Sequence, residues 1–184
     1  HDSAAALIKD GKVLGAVEEE RFTGIKHDSS FPINTIQWLY KEFKIEGEDI
    51  ESVAFYDNPK TKLDRIEKSL KRGPITELFN RGKILKRNKI KYDTFEKQIY
   101  GITNHKVNIF YSDHHLSHAA YSFYTSPYDR ASILSVDGVG EWETTTLWYG
   151  EGNKISKIQQ INFPHSLGML YSAFTAFLGF KPNE

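Results

Sequence analysis

The sequence predicts an α/β fold, because hairpin signals near both ends of the chain enclose segments with helical periodicity. An Asp10-Gly11 pair separates two apolar runs, and this dipeptide favours the tight turn of a β-hairpin. A second pair of apolar runs, 131–136 and 144–149, flanks the Gly-rich turn 137–140. The 184 residues suffice for one domain with a core, or for parts of two lobes.

The first hairpin is predicted over residues 4–17, and it is followed by an amphipathic helix after Pro32. Apolar residues recur in that helix at i, i+3, i+4 and i+7, namely at Ile36, Leu39, Tyr40 and Phe43. Gly47 is predicted to end the helix, and residues 52–56 to form a short buried strand.

In the second half, residues 106–111 are predicted as a strand that leads into a helix, and residues 154–163 allow a third strand beside the second hairpin. Residues 166–178 are apolar on most sides, so a buried helix ending at Gly179 is expected. Because each hairpin can open a related lobe, a lobe boundary is predicted near Arg130.

Composition excludes several classes of protein. The chain has no cysteine, which rules out disulfides and thiolate metal sites and fits a cytoplasmic protein. The formal net charge is zero, and no apolar run is long enough to span a membrane. Since the first residue is His, the chain is expected to start inside a longer one.

Charge is concentrated in residues 60–91, which carry a net charge of +9 while the rest of the chain carries −9. Such a segment can form a surface for nucleic acid or for an acidic partner. It can equally be a solvated helical insertion, because its apolar residues recur at helical spacing; these are Leu63, Ile66, Leu70, Ile75, Leu78, Phe79 and Leu85.

The most informative stretch is 112–120, where three of the seven histidines fall within five residues. In a helix, His114 and His118 lie about 40° apart on one face, close enough to hold one metal ion. Apolar residues centre on the opposite face, at Leu116, Ala119, Ala120 and Phe123. His115 lies between the two and is less clearly aimed. A solvated helical surface is the alternative explanation of this spacing.

Asp137 is the obvious local candidate for a further ligand or a catalytic carboxylate. It ends a run that alternates little and therefore predicts a strand buried on both faces. The carboxylate would emerge beside the turn at Gly138 and Gly140, whose N–H groups suit close approach to the oxygens of a ligand such as phosphate. The alternative is that Asp137 only caps this turn through its own backbone.

Five motifs, taken in order along the chain, together resemble the nodulation/antibiotic-type O-carbamoyltransferase family. They are His1-Asp2-Ser3-Ala4-Ala5-Ala6-Leu7 with Asp10-Gly11, Glu18-Glu19-Glu20-Arg21-Phe22-Thr23 with Lys26-His27, His114 to Ala120, Asp137-Gly138-Val139-Gly140-Glu141, and Phe163-Pro164-His165-Ser166-Leu167-Gly168 with Gly179-Phe180-Lys181. The N-terminal domain of this family is similar to the universal tRNA threonylcarbamoyl-transfer protein.

This resemblance implies an actin/sugar-kinase/Hsp70-like (ribonuclease H-like) fold. Residues 1–130 would be the first lobe of the N-terminal domain, with 60–91 as a basic helical insertion. Residues 131–184 would be the truncated start of the second lobe.

The resemblance also implies a reaction. A separate C-terminal domain makes carbamoyl-adenylate from carbamoyl phosphate and ATP, and the N-terminal domain transfers the carbamoyl group to a hydroxyl of a small molecule. His114 and His118 match the metal-ligand positions, with iron(II) or zinc as the ion. The remaining carboxylate ligand comes from later sequence, so the fragment alone is expected to be inactive.

Roles for the other residues follow from the same resemblance and from their chemistry. His1, Asp2 and Asp137 are the candidate catalytic residues, with His1 preferred as the base because its pKa lies near neutrality. The candidate nucleotide-site residues are Gly138, Gly140, Glu141 and His165, and the candidate acceptor-site residues are Glu20, Arg21 and His27. The alternatives are a solvated strand end for the Glu20 region, a surface loop for His27, and helix capping for His165.

Two other functions remain open at this point. One is a phosphotransferase of the sugar-kinase fold, which does not need the two histidines. The other is a non-catalytic binding module that uses the basic segment. The partners expected are carbamoyl phosphate, ATP, a hydroxylated small molecule and the C-terminal domain, with a homodimer left open and neither membrane nor nucleic acid expected.

Overall fold

The computed structural model describes residues 2–72 and 81–181. The strands within these residues are β1 (Ala4–Lys9), β2 (Lys12–Glu18), β3 (Ser52–Phe55), β4 (Asn108–Tyr111), β5 (Arg130–Val136), β6 (Glu143–Glu151) and β7 (Lys154–Asn162). The helices are α1 (Glu20–Thr23), α2 (Ile33–Phe43), α3 (Pro59–Arg72), α4 (Arg81–Thr103), α5 (His114–Tyr124) and α6 (Leu167–Phe177). Across the described ranges, each helix is too short or too polar to cross a membrane.

Two compact units divide the chain: His1–Val53 with Ile90–Asn108, and Ala54–Lys89 with Ile109–Glu184. The lobe boundary near Arg130 stays a prediction about the family fold. In this structure the residues on both sides of Arg130 belong to the second unit, because α5 packs against β5.

The first unit confirms the predicted hairpin. β1 and β2 pair antiparallel, and Asp10 and Gly11 both adopt the positive φ that the tight turn requires (51° and 73°). The helix after Pro32 is also confirmed, but Gly47 does not end it. Lys44 ends α2 in the left-handed conformation, with φ 51°. Gly47 instead begins a short 3-10 turn that approaches the Ile102 carbonyl too closely for a Cβ.

The second unit is built on an antiparallel sheet with strand order β5-β6-β7. One face is covered by α5, where Ala119 and Phe123 pack with Ile133 and Trp148 in a small apolar core. The prediction that β5 is buried on both faces is wrong: its residues alternate, and the Leu134 side of the strand is exposed. Among the described residues, a helix packs only against the face toward α5, and that face is the buried one.

The helix at residues 166–178 forms, as α6, but the expectation that it is buried is also wrong. Its apolar residues are solvent-exposed, among them Leu170, Phe174 and Phe177. Only its first turn is closely held, since Gly168 leaves no space for a Cβ against the backbone of Asp137.

The basic segment is helical where it is described, in α3 and the first half of α4. α3 is amphipathic: Leu70 is buried, and Lys62, Lys68 and Lys71 pair with carboxylates on Asp57, Asp64 and Glu67 respectively. Ile75, Leu78 and Phe79, whose helical spacing was part of the prediction, lie outside the described residues.

Candidate metal centre

The first turn of α5 is fixed by a buried carboxylate from the β5–β6 turn. Both Glu141 oxygens accept from the His114 backbone N–H, at 3.0 and 3.1 Å. One of them also accepts from the Asn58 N–H at 2.8 Å, immediately before α3. Since the first N–H groups of a helix have no partner within it, Glu141 stabilises the starts of two helices at once. Burial raises the pKa of Glu141, which is also hydrogen-bonded to Asp57.

His114, His118 and Asp137 converge at this helix start. The two imidazoles lie on one face of α5, as their spacing predicts, with Nε2 atoms 3.1 Å apart. Asp137 Oδ2 lies 2.9 Å from His114 Nε2. One donor atom from each of the three residues lies within 4.8 Å of the other two. The carboxylate predicted at the strand end therefore does lie beside the histidines.

The cluster polarises its own members. The hydrogen bond to Asp137 raises the pKa of His114, while the hydrogen bond from His114 lowers the pKa of Asp137 to about 2. Burial, together with the neighbouring His114, lowers the pKa of His118. Without a cation, these shifts favour the pairing of a protonated His114 with an ionised Asp137.

The donor set fits a divalent cation. Two imidazole nitrogens and a carboxylate oxygen are ligands that zinc and iron(II) accept. Ligand atoms bound at about 2.0–2.2 Å to one ion sit roughly 3 Å apart when they are neighbours in the coordination sphere. The two separations measured at His114, 2.9 and 3.1 Å, match that value, so replacing the proton by a cation would require only small shifts.

His115, whose aim the sequence left undecided, points into the core. Its side chain is 1 % exposed, and its Nδ1 lies 2.9 Å from Thr146 Oγ1 on β6. Burial lowers the pKa of His115, so the ring is neutral. Its Nε2 has no hydrogen-bond partner among the residues that the structure describes.

The Gly-rich turn is engaged internally. Gly138 N–H donates to Asp137 Oδ1 at 2.6 Å, and Gly140 N–H donates to the Glu143 carbonyl at 2.9 Å. A Cβ on Gly140 would lie 2.9 Å from His115 Cδ2 and 3.1 Å from His114 Cβ. The turn therefore packs directly on the two imidazoles, and its role in binding phosphate or carbamoyl oxygens stays a prediction.

The remaining nucleotide-site candidates are placed differently from one another. Glu141 is 1 % exposed and accepts from the backbone N–H groups of Asn58 and His114, so in this structure it holds helices. His165 is exposed, and Ser166 caps α6 in its place, accepting from the Met169 N–H at 3.0 Å. Ser166 Oγ also donates to the carbonyls of Asp137 and Gly138, which ties α6 to the turn.

A second cluster lies in the first unit. His27 Nδ1 is 2.7 Å from Asp2 Oδ1, and the His27 backbone N–H donates to Glu20 Oε2 at 3.0 Å. Arg21 is exposed beside Glu18, 3.8 Å away, and is not part of the cluster. Three of the candidate residues are thus brought together, whereas His1 lies outside the described residues; the acceptor-site and catalytic roles stay predictions.

Sequence reasoning missed two buried acidic residues, Glu19 and Asp57. Glu19 is 1 % exposed and accepts from the backbone and side chains of Asn34 and Thr35 at the start of α2. Asp57 is 2 % exposed and pairs with Lys62. One signal was available: Asp57-Asn58-Pro59 has the composition of a helix start, with proline at the first helical position.

Comparison with protein families matches the whole chain, residues 1–184, to the family described as "Carbamoyltransferase N-terminus". The chain belongs to the carbamoyltransferase N-terminal family. The predicted resemblance to carbamoyltransferases is thereby confirmed. Membership rests on the entire sequence, including the residues that build both clusters.

Three curated relatives of this family member are longer proteins. The chain is 40% identical over 192 residues to an uncharacterised protein, sll1178, of Synechocystis, and 31% identical over 180 residues to nodulation protein NolNO of Sinorhizobium fredii. It is 29% identical over 184 residues to an uncharacterised protein, MJ1051, of Methanocaldococcus jannaschii. These matches cover 98–100% of the chain but only 26–31% of the relatives. The chain therefore spans less than a third of their length.

Proposed function

We propose that this chain is the cation-binding part of an enzyme that transfers a carbamoyl group to a hydroxyl of a small molecule. The observation that carries the proposal is the meeting of His114, His118 and Asp137 at one helix start, in a member of the carbamoyltransferase N-terminal family. The donor would be carbamoyl-adenylate, made from carbamoyl phosphate and ATP by a C-terminal domain of the same polypeptide.

His114 and His118 would hold a divalent cation, iron(II) or zinc, through their Nε2 atoms, and Asp137 through Oδ2. When bound, such a cation polarises an acyl oxygen and neutralises phosphate charge. The protein supplies the geometry: α5 fixes the two imidazoles, and Glu141 fixes the first turn of α5.

Two roles were considered for Asp137, namely holding a cation and accepting a proton, and its pKa favours the first. A general base works best when its pKa lies near the working pH, and the pKa of Asp137 is lowered to about 2 by the hydrogen bond from His114. Asp137 is consequently assigned to holding charge at the site rather than to accepting the proton of the substrate hydroxyl.

The test uses the full-length polypeptide and compares wild type with His114→Ala and His118→Ala. Both variants are expected to lose stoichiometric cation, measured by elemental analysis, and to lose carbamoyl transfer to hydroxylated acceptors. Formation of the carbamoyl-adenylate, measured as the release of pyrophosphate, should persist. The reason is that activation is assigned to the other domain.

His105→Ala is the matched control, since this histidine lies in the first unit and its Nδ1 lies 2.8 Å from the Thr103 carbonyl. It should keep both cation and transfer. Full cation content in both His114→Ala and His118→Ala would contradict the proposed site. A product that carries a phosphoryl instead of a carbamoyl group would favour the sugar-kinase type of reaction.

A further inference from the structure

The first turn of α5 presents a third imidazole that the proposed cation site does not use. His115 is buried between the Gly138–Glu141 turn on one side and strand β6 on the other. It thus touches the two segments that must stay in register for His114 to meet Asp137.

Two hydrogen bonds link the side chains of Trp148, Thr146 and His115 in a row. Trp148 Nε1–H donates to Thr146 Oγ1 at 2.7 Å, and the indole N–H can only donate. Within the described part of the chain, the other partner of this hydroxyl is His115 Nδ1, at 2.9 Å. The Thr146 hydroxyl can donate to Nδ1 or accept from an Nδ1–H, and either arrangement anchors the His115 ring to β6.

The opposite edge of the His115 ring, at Cδ2, contacts the turn at Gly140. A Cβ on Gly140 would approach His115 Cδ2 to 2.9 Å, so the turn backbone already lies at contact distance from the imidazole. Buried groups in such contact cannot shift independently, because protein interiors are close-packed.

We propose that His115 is a positioning residue: anchored by Thr146, it sets the spacing between the start of α5 and the turn that carries Asp137, and thereby the geometry in which His114, His118 and Asp137 hold a cation. This inference rests on the proposed function, since it concerns the same site. His115 itself is not a ligand, because its ring faces Thr146 and Gly140.

The experiment loads the full-length polypeptide with Co²⁺ and records its affinity and its visible absorption spectrum, which reports coordination geometry. Substitution of groups that orient metal ligands typically lowers metal affinity by about 10- to 100-fold. His115→Leu should fall in that range and change the spectrum. His115→Asn, whose amide can take the place of Nδ1 toward Thr146, should restore most of both.

Thr146→Val removes the anchor without altering α5 and should change the Co²⁺ spectrum in the same direction. The double variant Thr146→Val/His115→Leu should bind Co²⁺ no more weakly than His115→Leu alone, because the two residues act through one contact. Thr103→Val is the matched control: the residue is equally buried, and its hydroxyl donates to the Ile99 carbonyl in the first unit. That control should lower stability and leave the spectrum unchanged.

Wild-type affinity and spectrum in Thr146→Val would overturn the inference, even if His115→Leu failed to fold. Loss of Co²⁺ stoichiometry in every His115 variant would also overturn it, by making His115 a ligand. A wild-type protein that binds Co²⁺ as expected but transfers no carbamoyl group would contradict the proposed function alone.

Discussion

At the scale of single residues, Glu141 joins two helix starts through one buried carboxylate. It accepts from the backbone of Asn58 before α3 and of His114 at the start of α5. The side chain that orders the proposed cation site is therefore neither a proposed ligand nor adjacent to the proposed ligands in sequence.

Glu141→Gln should destabilise the protein, because the amide offers one acceptor oxygen where the carboxylate offers two. Hydrogen bonds to charged groups contribute about 1.5–3 kcal/mol each, so a loss of that order is expected in the free energy of unfolding measured with urea. Glu151→Gln, on an exposed carboxylate, is the control and should be neutral. An unchanged unfolding midpoint for Glu141→Gln would argue against its capping role.

Cation affinity should rise with pH, because protons compete with the cation for the His114 ring. The Asp137 hydrogen bond raises the pKa of His114 above 6.5, and a cation must displace that proton to bind Nε2. Titration with Zn²⁺ at fixed ionic strength would measure this, and an affinity independent of pH would show that His114 is not a ligand.

Without a cation, the His114–Asp137 pair should stabilise the fold in a defined pH window. The lowered pKa of Asp137 contributes stability above its ordinary value of 3.8, and this is lost as pH falls through about 2. The raised pKa of His114 contributes stability that is complete below 6.5 and is lost as pH rises through the folded value. Asp137→Asn should remove both contributions, visible as a flatter profile of unfolding free energy against pH.

At the scale of secondary-structure elements, α5 and β6 meet without spare volume. A Cβ on Gly150 would lie 2.7 Å from the ring of Phe123, which is 3 % exposed. Glycine at this position permits the close approach of strand and helix that puts the histidines over the sheet end.

Gly150→Ala should accordingly destabilise the protein by about 1–3 kcal/mol, the usual cost of overpacking a core. Gly101→Ala in α4 is the matched comparison, because nothing lies within 4 Å of its added Cβ. That variant should stabilise the protein by about 0.5–1 kcal/mol through helix propensity. Thermal unfolding would reveal the opposite signs, and a stabilising Gly150→Ala would contradict the packing described for α5.

The elements that the sequence predicted well are those fixed by local chemistry. The Asp10-Gly11 turn and the i, i+4 spacing of His114 and His118 depend on residues close in the chain, and both formed as predicted. The contribution of Glu141 was not predictable, since it depends on Asn58, which lies 83 residues away. The predictions that β5 and α6 are buried were wrong for a similar reason. Apolar composition shows that a surface can be covered, but it does not show which part of the protein covers it.

At the scale of the whole molecule, the second unit leaves a large apolar surface exposed on α6. Phe177 is 83 % exposed and Tyr171 76 %. Contiguous apolar surfaces of this kind usually mark a site of contact. Since the three curated relatives compared above are more than three times as long as this chain, we expect further sequence of the same polypeptide to cover α6.

Amide hydrogen exchange tests this expectation by comparing residues 1–184 alone with the full-length polypeptide. The amides of α6 should be protected in the longer protein and exchange quickly in the shorter one, while those of α2 should behave alike in both. Equal exchange of α6 would show that the rest of the polypeptide does not cover it, and self-association of the short form would identify a second copy as the occupant.

Trp148 gives the second unit an optical reporter of its own state. The indole is 4 % exposed and bonded to the hydroxyl that also holds His115, so its emission should lie toward short wavelengths and shift to the red when the sheet opens. The other tryptophans, Trp38 and Trp142, can be replaced by phenylalanine to isolate this signal. A paramagnetic ion bound by the neighbouring histidines would quench that fluorescence, so cation loading could be followed by light alone.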